Sequence, residues 1–432
     1  MTIESDETTI AHPPVGATVP GRFTGAMAGG AAGLILVQMG WVFAGMDYTI
    51  YSSALPLILA DLHISIPTGG LIFFLSLQGT WIGSLLVPVI ADYFGRRRAM
   101  MGNILLYALT TGAVAFAASS AYLTAARFLV NFGIGAEQPI GATYIAERWN
   151  PKTRARAMGF MQSGFAIGLL FASLLLATIA PRYGWRPLFL IGAIPALLVV
   201  GFRFFLPESE KWKEHQEQKK RAQAEETKET KRSPFTMGQL FSPSLRKATI
   251  VGTILLLAGN TAGGGILAWA PTYLKVARGL DIGTVGWFGV VQALGLLFGY
   301  NMSGVVSDWT SRRVSLMIAF GLGIVSLIAF GLVTNLVLVA VAIFMVGAAL
   351  GGQFGNFITY LSELFPTASR ATGVGWCMGI GLVAWSIVPL VLGLLAPSGN
   401  FGTLFAILGG TACLIGIIAA YFGPETKGKV LD

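Results

Sequence analysis

Twelve apolar runs, each about as long as a lipid bilayer is thick, limit what this chain can fold into. They lie near 30–58, 68–90, 99–118, 121–146, 157–180, 187–206, 247–273, 284–306, 314–333, 335–361, 371–395 and 400–422. A helix needs about 20 mostly apolar residues to cross ~30 Å of hydrocarbon, whereas the strands of a membrane barrel are about ten residues long and alternate in polarity. The runs therefore predict helices. Only 11% of the residues are charged and 54% are hydrophobic, against about a quarter charged in soluble chains. The expected fold is an all-α integral membrane protein with twelve transmembrane helices in two six-helix bundles.

Charge placement orients the helices. With the N-terminus in the cytoplasm, Arg96–Arg98, Arg148 to Arg156, the 207–247 loop, Arg312–Arg313, Arg370 and Lys427–Lys429 all fall inside. Only Arg182, Arg186, Lys275 and Arg278 fall outside, a one-sided positive-inside pattern. The net charge of +9 then sits largely in loops facing anionic lipid headgroups and needs no nucleic-acid partner. Residues 1–29 are polar, lack the basic start of a secretory signal, and read as a cytoplasmic tail. The expected organisation is this tail, bundles at 30–206 and 247–422, a cytoplasmic linker at 207–246 and a short tail at 423–432. The linker's run of mixed charge, Lys219 to Arg232, has the composition of a solvated segment, with lipid regulation as the alternative.

The chain repeats itself. Asp92 with Arg96 and Arg97 returns 216 positions later as Asp308 with Arg312 and Arg313. Tyr144 and Glu147 return at the same offset as Tyr360 and Glu363, and each Glu is followed seven residues on by an Arg, Arg154 and Arg370. Pro207-Glu208-Ser209 and Pro424-Glu425-Thr426 each end a sixth helix. Two parallel six-helix halves are a transporter plan. An enzyme would need a nucleophile with its base, a metal-ligand cluster or a cofactor motif. Cys377 and Cys413 are isolated, and His12, His63 and His215 all fall outside the spans, so no enzyme, metal or cofactor is expected.

These motifs resemble the major facilitator superfamily over essentially the whole chain after position 30. Asp92-x-x-Gly95-Arg96-Arg97 and Gly304-x-x-x-Asp308-x-x-Ser311-Arg312-Arg313 resemble its cytoplasmic signature between helices 2 and 3 and helices 8 and 9. Pro88 and Ser311 stand where that signature usually has Gly. The resemblance implies alternating access, with Asp92, Arg96, Arg97, Glu147, Arg154, Asp308, Arg312, Arg313, Glu363 and Arg370 as a gating lattice. In it the Asp residues cap or pair at helix ends, and the Arg residues reach phosphates and the other half. The stretches from Arg127, Gly184, Pro207 and Pro424 are similar to sugar porters and to organic-acid proton symporters. Helix 7 has Ala258 and Gly259 where sugar porters carry paired Gln, which favours the aromatic-acid and sialate branch.

Ionisable side chains within a span are costly and read as functional. Asp47 on helix 1 and Arg127 on helix 4 match the Asp and Arg that proton-coupled sugar porters pair, and Ala44 replaces the first Asp of the organic-acid Asp-Gly-x-Asp pattern. A proton on Asp47 would release Arg127 to grip a substrate carboxylate; the alternative is a static ion pair. Glu137 points some 80° away from Arg127 on an ideal helix, and Gln138 within about 20° of it. Gln138 is thus the candidate lining residue, while Glu137 is either a second proton site or an interhelical partner. Tyr48, Tyr51, Gln162, Asn260, Gln292, Gln353, Asn356, Trp376 and Trp385 complete the candidate substrate contacts, with interhelical hydrogen bonding as the alternative for each Asn and Gln. The expected function is proton-coupled import of a small organic anion by a monomer among membrane lipids. A sugar or polyol symporter and a drug/proton antiporter are the alternatives.

Overall fold

The computed structural model describes residues 31–94, 96–148, 154–203, 237–366 and 369–427. Apart from the single turns Ala180–Tyr183 and Gly402–Leu404, they form six helices before residue 204: α1 (Ala31–Asp61), α2 (Ile66–Phe94), α3 (Arg96–Val114), α4 (Ser120–Arg148), α5 (Arg154–Thr178) and α6 (Arg186–Arg203). Six follow: α7 (Arg246–Thr272), α8 (Ile282–Trp309), α9 (Arg312–Leu332), α10 (Leu336–Leu364), α11 (Arg370–Leu395) and α12 (Gly410–Phe422). Among the described residues, nine spans are long and apolar enough to cross a bilayer, the last of them Gly402–Phe422, which includes α12. The three helices not among them are α3, α4 and α6. The last apolar run is not one regular helix: π turns continue α7 over Tyr273–Ala277 and precede α12 over Phe405–Gly409.

Polar caps start α8, α9 and α10 at the chain's own turn residues. Asp281 accepts from the Thr284 backbone N–H at 2.9 Å, Ser311 from Val314 at 3.2 Å, and Asn335 from Val337 at 2.9 Å. Each satisfies a donor that the first helical turn leaves open.

The 216-residue repeat is present in the packing. In the first half α1 lies on α5, α2 on α4, α3 on α4 and α6; in the second, α7 lies on α11, α8 on α10, α9 on α10 and α12. The α2–α4 seam is glycine against backbone. A Cβ on Gly79 would strike the Phe128 carbonyl, one on Gly83 the Phe132 carbonyl, and one on Gly135 the Thr80 carbonyl. Adding 216 to every number gives the α8–α10 seam: Gly295 on Phe344, Gly299 on Ala348 and Gly351 on Leu296. Small residues let membrane helices approach this closely.

The two halves meet along α5–α8, α2–α11 and α1–α7. These contacts gather toward the end of the molecule that carries Asp61, opposite the end that carries Asp308. There Gly286 leaves no room for a Cβ against Ala177, and Gly70 lies against Pro389 and Gly393. The two contacts are again related by 216.

Candidate functional site

Asp47 and Arg127 reach each other in the middle of the first half. Asp47 stands near the centre of α1, and Arg127 two turns into α4. Arg127 Nη1 donates to Asp47 Oδ2 at 2.8 Å, and the two residues are 1% and 5% exposed. Thr111 Oγ1 on α3 donates to the other carboxylate oxygen at 2.8 Å. The guanidinium lies 4.3 Å from the centroid of the Tyr51 ring, a cation–π contact that strengthens where water is excluded. Its Nε–H is buried without a partner among the described residues, so one strong donor stays free for an acceptor. Removing one member of a buried ion pair costs about 3–5 kcal/mol because the other charge is stranded. Thr111 is a site residue that the sequence did not announce, since one hydroxyl in an apolar helix carries no pattern.

Beside this pair, aromatic rings bridge the halves. Tyr48 lies 5.6 Å from Trp385 across the interface, and 6.1 and 6.4 Å from Phe165 and Phe73 in its own half. Phe354 packs on Trp385 at 6.1 Å, and Phe73 on Trp269 at 6.0 Å. The hydroxyls of Tyr48 and Tyr51 are buried and have no hydrogen-bond partner among the described residues. Tyr48, Tyr51 and Trp385 thus come together with Asp47 and Arg127, while Phe73, Phe165, Phe354 and Trp269 join them without a sequence signal beyond apolarity.

The remaining candidates are spread out. Gln162 is buried on α5. The Asn260 amide donates to the Leu256 carbonyl in its own helix. Asn356 Nδ2 donates to Ser315 Oγ at 2.9 Å, tying α10 to α9, and Gln353 is fully buried beside Ala319. Trp376 stacks edge-on against Phe241 at 5.5 Å, near the start of α7 and away from the Tyr48 group. Gln292 faces a separate polar cavity with Ser173 and Thr49. The side chains of Glu137, Gln138, Asp92, Arg96, Arg97, Glu147 and Arg154 lie outside the described residues.

At the Asp308 end, Arg312 is the hub of the second-half lattice. It donates to Asp308 at 2.9 Å and to Glu363 at 3.3 Å. Glu363 also accepts from Thr426 Oγ1 at 2.6 Å, and Glu425 accepts from the Arg312 backbone N–H at 3.3 Å. Lys427 Nζ donates to the carbonyls of Asp308 and Thr310, and Tyr360 Oη to that of Pro424. The Pro424-Glu425-Thr426 segment is therefore a strap across the Asp308 loop. Burial works against the Glu425 charge, but donors from Ser311, Lys427, Thr426 and Arg312 outweigh it and hold its carboxyl below the usual range. Arg313 donates to the Ala420 and Tyr421 carbonyls, and Arg370 to that of Phe365. Among the described residues, the partners of these three Arg residues belong to the second half.

Repeated helical halves that meet through an aromatic cluster beside a buried charge pair define a secondary transporter rather than an enzyme. A model of the Major Facilitator Superfamily matches residues 37–376 and, overlapping, 279–431, and the chain belongs to that superfamily. The cis,cis-muconate transport protein of Acinetobacter baylyi is 29% identical over 387 residues, covering 89% of this chain and 92% of the relative. The sialic acid transporter NanX of Escherichia coli is 27% identical over 403 residues, covering 92% and 94%. The crystal structure of a D-xylose–proton symporter matches the fold with a TM-score of 0.74 at 19% identity, over 92% of this chain and 99% of that one. The protein is thus a multi-pass membrane transporter of small molecules.

Proposed function

We propose that the chain is a proton-coupled symporter that imports a small organic anion across a bacterial-type cytoplasmic membrane. It would work as a monomer among lipids, with both termini in the cytoplasm and with 30–206 and 247–422 as its two moving bundles. The carrying observation is the buried Asp47–Arg127 pair. A proton arriving at Asp47 neutralises the carboxylate, and Arg127 then turns its fork to a substrate carboxylate. Proton and anion enter together, so their charges largely cancel. On release to the cytoplasm, Asp47 gives up its proton and reclaims Arg127.

Three observations support an anion over a neutral sugar. Arg127 keeps a buried donor without a partner among the described residues. Gly259, where sugar porters present Gln, abuts the Phe357 ring instead. The named substrates of the two relatives are both carboxylic acids. The surround of Tyr48, Phe165, Phe354 and Trp385 suits a flat conjugated acid, whose faces can stack on rings. In this orientation the Asp61 end faces outside and is closed. The lattices around Asp92 and Asp308 then govern the inner side.

Uptake into proteoliposomes under an imposed pH gradient, screened over aromatic, dienoic and sugar-derived carboxylates and over neutral hexoses, tests the reading. Accumulation of a carboxylate that collapses with a protonophore is expected. Accumulation of a neutral hexose with no response to any carboxylate would replace it with the sugar-symporter alternative.

A further inference from the structure

On the side of α1 opposite Asp47, a polar cavity lies where the halves touch. Two residues along a helix turn the side chain through about 200°, so Thr49 faces away from the charge pair and toward α5, α7 and α8. Thr49 and Ser52 from α1 and Ser173 from α5 line the cavity on one side; Leu267 and Pro271 from α7 and Gln292 from α8 line it on the other. Thr49, Ser173 and Gln292 are 1%, 1% and 5% exposed. Thr49 Oγ1, Ser173 Oγ and Gln292 Nε2 all lack a hydrogen-bond partner among the described residues. Pro271 has no N–H to give the carbonyl four residues before it, that of Leu267, which therefore lacks its usual helical donor. Gly289 makes the room, because a Cβ there would sit 2.5 Å from Ser173 Oγ.

Unsatisfied polar groups at this depth are costly, and their convergence on one space from both halves requires an explanation. The repeat does not supply one. Subtracting or adding 216 turns Gln292 into Ser76, Ser173 into Pro389 and Thr49 into Gly265, so the equivalent place on the α2–α11 side has lost most of these polar groups. The polar site was built on one seam only.

We propose that this cavity binds a single oxygen, which accepts from Gln292 Nε2 and exchanges hydrogen bonds with Thr49 and Ser173. Its volume of about 10 Å³ is the room of one water molecule. The oxygen belongs either to a resident water or to a hydroxyl or carboxylate of the transported molecule. Because its ligands come from both halves, the site exists only while the Asp61 end is closed. Whatever occupies it stabilises that conformation over the open one. The inference stands on the transporter fold and does not depend on the charge of the substrate.

The test is a coupling measurement in full-length protein in lipid nanodiscs. Spin labels at 62–65 and 278–281 report the closed fraction at the Asp61 end for the parent, Thr49→Val, Gln292→Leu and the double variant. A shared oxygen makes the two changes non-additive. Each single variant lowers the closed-to-open ratio roughly threefold to tenfold, and the double variant lowers it little further. Coupling without substrate assigns the oxygen to water; coupling that appears only with a transported substrate assigns it to that molecule. Additive effects under both conditions, or a closed fraction equal to the parent's in every variant, overturn the proposal. Where a variant fails to fold, the parent decides alone. A high-resolution structure of its closed state must show density within hydrogen-bond reach of Thr49 Oγ1, Ser173 Oγ and Gln292 Nε2, and a dry cavity there overturns the proposal as well.

Discussion

The molecule carries two acid–arginine sites of opposite design. In the first half Asp47 and Arg127 form a nearly sealed pair with one supporting hydroxyl. In the second half Arg312 serves Asp308 and Glu363 at once, Asp308 is 75% exposed, and strap residues share the carboxylates. A sealed pair has few alternatives, so in the proposed mechanism a proton or a new anion breaks it and the pair serves as a switch. A shared, wetted network loses one contact and keeps the others, so it can grade an equilibrium without being all-or-none. Acidic and basic residues of the same kinds therefore serve different tasks, set by burial and by the number of partners.

Arg127→Ala should break the contrast most sharply. It strands Asp47 and removes the buried cation, so substrate binding should weaken by about 2–5 kcal/mol, read by equilibrium binding to the detergent-solubilised protein. Unchanged affinity would demote Arg127 to a structural role. Next in size, Asp47→Asn should abolish accumulation driven by a proton gradient while exchange of substrate across the membrane continues, because the amide imitates the protonated acid. Its binding should also lose pH dependence. If the variant still concentrates substrate on a proton gradient alone, Glu137 becomes the coupling candidate.

The network predictions are milder. Glu363→Gln keeps an acceptor for Thr426 but removes the charge facing Arg312, and should slow transport several-fold with normal membrane insertion. Asp308→Asn should do less, since an exposed ion pair is worth about 0–1 kcal/mol; a larger effect than Glu363→Gln would reverse the ranking of hub and rim. The smallest effect concerns pH. Glu425 is held below the ordinary carboxylate range, so its support for the strap is present at neutral pH and fades as pH falls through that lowered value. Protease access to the C-terminal segment should rise only in acid, and Glu425→Gln should remove that rise.

Much of the first-order architecture was legible because it rests on periodic or repeated features. Asp92 and Asp308 gave the offset, and the apolar runs gave the helices. The charges were legible because they are rare in apolar helices, and their pairing because Asp47 and Arg127 resemble the pair of proton-coupled sugar porters. What could not be read were contacts that depend on facing and depth. Thr111 and Ser173 are common residues in common surroundings. Trp376 and Trp385 are one residue type on one helix, nine positions apart, yet only Trp385 reaches Tyr48. The glycine pairs Gly79–Gly295, Gly83–Gly299 and Gly135–Gly351 were present at the same 216 offset, but apolar background hides glycine where it does not hide Asp.

Where the halves close, at Gly286 on Ala177 and Gly70 on Gly393, the touching surfaces have almost no side chains. Long side chains lose up to about 2 kcal/mol of rotamer freedom when immobilised, and Gly and Ala lose none. Closing this end therefore surrenders little conformational entropy at the contact itself. With so little entropy at stake, the closed and open forms can stay near balance over a range of temperatures, within reach of the small biases that the proposed ligands would supply.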